Sequence, residues 1–159
     1  MGVTIRPATP ADAGLVYRFI RGLAEYEKLL DDVAAAETDI ARDLFGPTPR
    51  VFAEIAEADG EPVGFALWYY SYSTFVGRHG IYLEDLFVVP QARGQGAGKA
   101  LLQALAKRCM AEGLGRLEWA VLDWNAPSIA FYDSLGAAAM DEWIIRRLSG
   151  VALRKLGNG

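Results

Sequence analysis

Between an apolar run from Ile81 to Val89, ended by Pro90, and a helical pattern that puts Leu101, Leu102, Leu105 and Cys109 on one side lies Arg93-Gly94-Gln95-Gly96-Ala97-Gly98-Lys99. Strand, glycine-rich turn and helix in that order make a pyrophosphate cradle. Glycines let the backbone come close to anionic oxygens, and the unpaired N–H groups of a helix's first turn point at them with the dipole behind. Arg93 and Lys99 add positive charge. A P-loop is excluded, because its first glycine falls on Arg93 and Lys99 is followed by Ala100, which offers no hydroxyl for magnesium. The dinucleotide fingerprint Gly-x-Gly-x-x-Gly fails as well, since its third glycine falls on Lys99. A tight connection that holds nothing is the alternative, and it requires fewer than three glycines.

Two further groups of side chains have chemistry to offer. Glu84 and Asp85 are adjacent in an otherwise apolar strand, where alternation sends them to opposite faces, so only one faces a given site. Either carboxylate can instead be structural, satisfied by an arginine or a backbone partner. Asn125, Ser128 and Tyr132 are spaced i, i+3 and i+7 and share one face of a helix. Asn125 also suits the cap of that helix, with Pro127 tolerated in its first turn, and Phe131-Tyr132 suits core packing. His79, in a Gly77-to-Gly80 stretch that reads as a turn, has no nucleophile-elbow serine to serve. With one cysteine, Cys109, and one histidine, neither a disulfide nor a Cys/His zinc cluster can form, and no metal is expected.

The elements that must position these residues follow from periodicity. Val3 to Pro7 reads as a strand, followed by a helix to about Leu29 with Leu15, Phe19, Ile20, Leu23 and Tyr26 at helical spacing. A shorter helix from Thr38 to Leu44 has Thr38 as its cap and Gly46-Pro47 as its stop. Val51 to Glu57 and Val63 to Ser71 are strands joined by a turn containing Asp59-Gly60, a strong hairpin signal. A loop from Tyr72 to Gly80 leads to the strand Ile81 to Val89. After the glycine-rich turn and its helix come a strand, Leu117 to Leu122, a helix, Ala126 to Leu135, and two strands, Met140 to Arg147 and Val151 to Leu156. Trp68 reads as core, and Trp119, Trp124 and Trp143 as core or subunit contact.

Composition bounds the function. The 159 residues are 52% hydrophobic and 23% charged, enough to bury one domain's core. A net charge of −4 disfavours a nucleic-acid partner. No apolar run reaches the ~18 residues of a membrane span and the N-terminus lacks a signal-peptide pattern, so a cytoplasmic protein with no membrane partner is expected.

Arg93-Gly94-Gln95-Gly96-Ala97-Gly98 resembles the Arg/Gln-x-x-Gly-x-Gly/Ala acetyl-coenzyme A signature of the GNAT N-acetyltransferases, and the order of elements is similar to that family's along nearly the whole chain. Ile81 to Val88, Ala120-Val121-Leu122-Asp123-Trp124-Asn125, Phe131-Tyr132 and Leu135-Gly136-Ala137 resemble its diamine, spermidine/spermine-type branch. The resemblance implies a single α/β domain over residues 1–159. Its mixed, mostly antiparallel twisted sheet would carry helices on both faces. It places the coenzyme pyrophosphate on Arg93, Gly94, Gln95, Gly96, Ala97, Gly98 and Lys99, and the pantetheine along Leu86, Phe87 and Val88. Asn125 and Ser128 are further coenzyme contacts. It also gives Glu84 the role of assisting amine deprotonation and Tyr132 that of protonating the departing thiolate, with an oxyanion-binding N–H from around Phe87 at a bulge. Tyr26 and Glu27 match the substrate-contacting pair. The branch's polyamine enzymes carry an acid and a tryptophan where this chain has Ser73-Thr74-Phe75, and the Tyr-Ser-Thr loop is more similar to the thialysine-acetylating relatives. A small primary amine therefore ranks above a polyamine as the acceptor. The resemblance further implies a homodimer, for which the strand from Val151 is a candidate exchange element. Two other functions stand beside this one: acetylation of a protein or peptide, and a non-catalytic coenzyme A sensor.

Overall fold

The computed structural model describes residues 2–159, which form two units meeting at Leu122 and Asp123. In the first unit, strands β1 (Val3–Pro7), β2 (Phe52–Ala58), β3 (Glu61–Ser73), β4 (Arg78–Val88) and β5 (Leu117–Glu118) form one sheet in the order β1-β2-β3-β4-β5. Every pair is antiparallel except β4 with β5. Asp59 and Gly60 both have positive φ, as a two-residue hairpin turn requires, and they join β2 to β3 where the sequence predicts. The expected loop from Tyr72 to Gly80 is shorter than predicted. β3 and β4 stay paired out to Ser73 and Arg78, so His79 lies in a strand opposite Tyr72 rather than in a turn. Their rings meet edge-on at 4.9 Å.

Helices α1 (Ala13–Tyr26) and α2 (Glu37–Phe45) cover one face of the sheet, and α3 (Ala97–Glu112) covers the other. On the first face Val16, Phe19 and Leu44 pack with Ala53, Ile55, Phe65, Leu67 and Phe87. Phe19 stacks on Phe65 at 5.6 Å and meets Phe87 at 6.0 Å. Each such aromatic removes enough apolar surface from water to contribute about 2–3 kcal/mol. On the second face Leu101, Leu105 and Trp68 are buried. The Trp68 indole donates to Glu54 at 2.7 Å, and Arg108 donates to the other Glu54 oxygen at 3.1 Å, so this buried carboxylate keeps two donors.

α1 stops at Tyr26, earlier than the predicted Leu29, because Lys28 turns left-handed (φ 62°) and Leu29 N–H reaches back to Ala24 O. α2 begins one residue before Thr38. The expected Thr38 cap is replaced by Asp39, whose carboxylate accepts from Ala36 N–H at 2.8 Å. Helix α1 also comes unusually close to the sheet at Gly22, where a Cβ would lie 2.8 Å from Phe87 Cζ. Alanine in a helix interior normally stabilises relative to glycine. Gly22→Ala is expected to do the reverse, costing about 1–3 kcal/mol by overpacking, read as a lower denaturant midpoint at unchanged m-value.

Arg6 on β1 ties the start of α1 to the sheet. Its Nη1 and Nη2 fork onto Asp12 at 2.7 and 3.0 Å while Nε donates to Glu57 at 3.1 Å, and Asp12 also accepts from Thr9 N–H. The Arg6 hydrogen bond holds the Asp12 carboxyl at about 2, against its ordinary 3.8. Because the folded value is depressed, the stabilisation is present above pH 4 and is lost as pH falls from about 4 to about 2; its size is about 2 kcal/mol. Asp12→Asn should therefore lower Tm at pH 6 and make little difference at pH 2, measured by thermal scans across that window.

The second unit contains α4 (Ala126–Ser134) and α5 (Gly150–Gly157). The strand predicted from Val151 to Leu156, and with it the exchange-strand expectation, is replaced by α5. Ala, Leu, Arg and Lys are strong helix formers, and Arg154 and Lys155 in the last turn suit the helix dipole. Met140 to Arg147 forms no ladder: its apolar, partly β-branched residues have strand propensity, but a strand exists only when a neighbour accepts its hydrogen bonds. Trp143, expected as core or contact, is 74% exposed. The strand predicted over Leu117 to Leu122 is two residues long.

Candidate active site

β4 leads into the site. It pairs with β3 along its whole length but with β5 only at Ile81 and Tyr82, which leaves the edge from Leu83 to Val88 without a strand neighbour among the described residues. N–H groups alternate between the two edges of a strand. Val89 N–H donates to Val63 O on the β3 side, so Phe87 N–H points there too, and the N–H groups of Leu86 and Val88 face the open edge. This corrects the expected Phe87 donor: that amide belongs to the β3 ladder.

The register of β4 slips once. Asp85 lies opposite Leu67 and Leu83 opposite Trp68, so Glu84 is an inserted residue, a β-bulge three residues before the position expected. The slip changes which faces the acids take. Leu67 and Tyr69 share the α1 face, and their partners Asp85 and Tyr82 therefore share it too. Glu84, two residues beyond Tyr82, joins them. The expectation that alternation separates Glu84 from Asp85 fails, because the bulge inserts the one residue that brings both carboxylates to one face.

The electrostatics agree with this placement. Burial, then the charges of Glu84 and Glu27, push the Asp85 carboxyl up to about 7. Glu27, half-buried just past the end of α1, is raised by burial and by Glu84. The Tyr69 and Tyr82 phenols, with rings 5.3 Å apart, are raised first by burial and then by Glu84. The structure thus gathers Glu27, Glu84 and Asp85 beside two phenols. Asp85, read from sequence as structural, is the member that the sequence reading missed. The adjacent acids in an apolar strand were the available signal.

The glycine-rich turn continues from β4. Gly94 and Gly96 have φ of 78° and 89°, conformations that L side chains rarely adopt, and a Cβ at either would meet nothing within 4 Å, so their surfaces are open. The first i→i−4 bond of α3 is Ala100 N–H to Gly96 O, so the amides of Ala97, Gly98 and Lys99 precede the ladder and are available to an anion. These residues fit a diphosphate. Arg93 is directed elsewhere: its Nε donates to Val88 O at 2.9 Å and its guanidinium lies over Tyr26 at 4.8 Å and over Phe87 at 5.6 Å. It ties the turn to the end of α1, beside Glu27.

In the second unit Asn125 is buried and caps α4, its side chain accepting from Ser128 N–H at 3.4 Å. Asn125, Ser128 and Tyr132 fall on one face of that helix, and Tyr132 meets the Phe131 ring at 5.5 Å. Among the described residues no group of three His, Cys, Asp or Glu side chains is arranged to hold a metal, and no helix is long and apolar enough to cross a membrane.

A mixed five-stranded sheet between helices, whose fourth strand ends in an anion-binding turn, defines an acyl-carrier-dependent transferase fold. Residues 18–137 match the acetyltransferase (GNAT) family, and the chain belongs to it. It is 44% identical to a thialysine N-epsilon-acetyltransferase of Bos taurus, over 97% of this chain and 96% of that protein. It is 30% identical to an L-ornithine N5-acetyltransferase of Arabidopsis thaliana, over 96% and 86%. An integron cassette protein of V. cholerae superposes with a TM-score of 0.82 at 30% identity, covering 100% of this chain and 99% of that one.

Proposed function

We propose that this chain transfers the acetyl group of acetyl-coenzyme A to a primary amine of a small molecule such as a diamine, a polyamine or a thialysine-like amino acid. The observation that carries this reading is the β4 edge, open from Leu83 onward and running straight into the glycine-rich turn, with Glu84 bulged toward the α1 face. Acetyl-coenzyme A supplies the acyl group as a thioester, which the amine attacks directly.

Ala97, Gly98 and Lys99 amides, with Gly94, Gln95 and Gly96 shaping the turn, hold the diphosphate. Leu86 and Val88 lend their edge N–H groups to the pantetheine, with Asn125 and Ser128 as further contacts. An alkylammonium enters protonated and must lose a proton before it can attack. Glu84 assists that loss, and Tyr132 donates to the departing thiolate. Glu27, with Tyr26 held under Arg93, favours a cationic acceptor. The thialysine and ornithine acceptors named for the two relatives are amino acids with a side-chain amine, which is the class ranked first here. The same reading carries one domain over residues 1–159, acting as a homodimer in the cytoplasm.

Thiol release measured with thialysine, lysine, ornithine, putrescine, spermidine and short peptides tests the proposal. Turnover with at least one small amine, exceeding that with any peptide, is the expected result. Turnover with peptides alone would replace it by the protein-acetylating reading, and coenzyme binding without any turnover by the sensor reading.

A further inference from the structure

Acetylation of an amine has a proton balance that Glu84 and Tyr132 do not close. As the N–C bond forms and the C–S bond breaks, an alkylammonium gives up two of its three N–H protons. One of them ends on sulfur. The other must leave through the protein to water on every turnover. A carboxyl in its ordinary range lies about six pK units below an alkylammonium, whereas proton transfer is most effective through a group that titrates near the working pH.

The bulge at Glu84 places one such group next to it. Asp85 lies opposite Leu67 on the α1 face, two residues from Phe87, whose ring touches α1 at Gly22. We infer that Asp85 is the second proton carrier of the amine site, taking from Glu84 the proton removed from the substrate ammonium and passing it to solvent. The inference rests on the acetyltransfer reading above. Asp85 acts through Glu84 and is a positioning residue for the proton rather than a contact for the amine.

The surroundings of Asp85 support this role. Glu84 on its own strand and Glu27 at the end of α1 are the charges that act on it, Tyr69 of β3 and Tyr82 of β4 are the phenols on its face, and Leu67 is its apolar cross-strand partner. The cation nearest this end of α1, Arg93, is engaged by Val88 O and by the Tyr26 and Phe87 rings. Burial beside two like charges keeps the carboxyl at about 7, where it is partly protonated at neutral pH and can both accept and release. A substrate ammonium arriving among the three acids lowers that value, so binding itself empties the carrier for the proton to come.

Asp85→Asn keeps the size of the side chain and removes its proton chemistry. In the wild type kcat should rise with pH through a midpoint near neutrality. In the variant kcat at pH 7 should fall about tenfold and that midpoint should disappear, with KM for acetyl-coenzyme A within about twofold. A second readout needs no turnover: the Asp85 carboxyl carbon, followed by NMR in the wild-type chain, should titrate near neutrality and move to lower pH when putrescine is added. An unchanged kcat profile in Asp85→Asn, or a carboxyl midpoint indifferent to putrescine, would overturn the inference while leaving the acetyltransfer reading intact. Absence of wild-type turnover with every amine would remove that reading first.

Discussion

Glu84→Gln is expected to lower kcat/KM for the preferred small amine by about 100- to 1,000-fold, the range that loss of a positioned base produces. The side chain keeps its size, and the bulge that carries it is a backbone feature, so the fold and the coenzyme site stay as they are. KM for acetyl-coenzyme A should move by less than about threefold, because the turn that binds the carrier has its own amides. The loss should shrink as pH rises toward the amine's own pKa of about 10, since more acceptor then arrives already neutral. Steady-state kinetics of both enzymes between pH 6 and about 9.5 provide the comparison. A variant with wild-type kcat/KM at pH 7 would take Glu84 out of the reaction.

Tyr132→Phe is expected to lower kcat about 100-fold, or about 2.7 kcal/mol of barrier, with acetyl-coenzyme A affinity within about twofold. The phenol serves the leaving group alone, so its removal acts in the transition state and not in the bound ground state. A test that separates this from packing uses an acyl donor with a more acidic thiol. A better leaving group needs less protonation, so the penalty of Tyr132→Phe should fall with such a donor if the phenol is the acid. It should stay the same if the ring only fills space beside Phe131.

What the sequence makes legible divides along physical lines. The helices α1 and α3 and the Asp59–Gly60 hairpin are readable because each is set by local rules: a 3.6-residue apolar period, or two residues that tolerate positive φ. The glycine-rich turn is readable for the same reason, since Gly94 and Gly96 occupy the left-handed region that their identity suggests. The bulge at Glu84 is not readable, because it comes from how β4 registers against β3, and alternation counted along one strand assumes no slip. That single residue decides whether the site has one carboxylate or two. The Val151 to Leu156 segment misleads in another way: Val and Leu suit either element, while Ser149 ahead of it and Arg154-Lys155 at its end are helix signals.

Because of its bulge, β4 belongs to two interiors. Ahead of Glu84, Ile81 and Leu83 are turned to the same side as Trp68, under α3; beyond it, Phe87 is turned to Phe19 of α1. A ribbon of eleven residues therefore rivets the two helical layers together through the point where proton chemistry is proposed. Loosening either layer tugs on the same hinge residue, so mutations remote from the acids, on opposite sides of the molecule, have a shared mechanical route to the reaction.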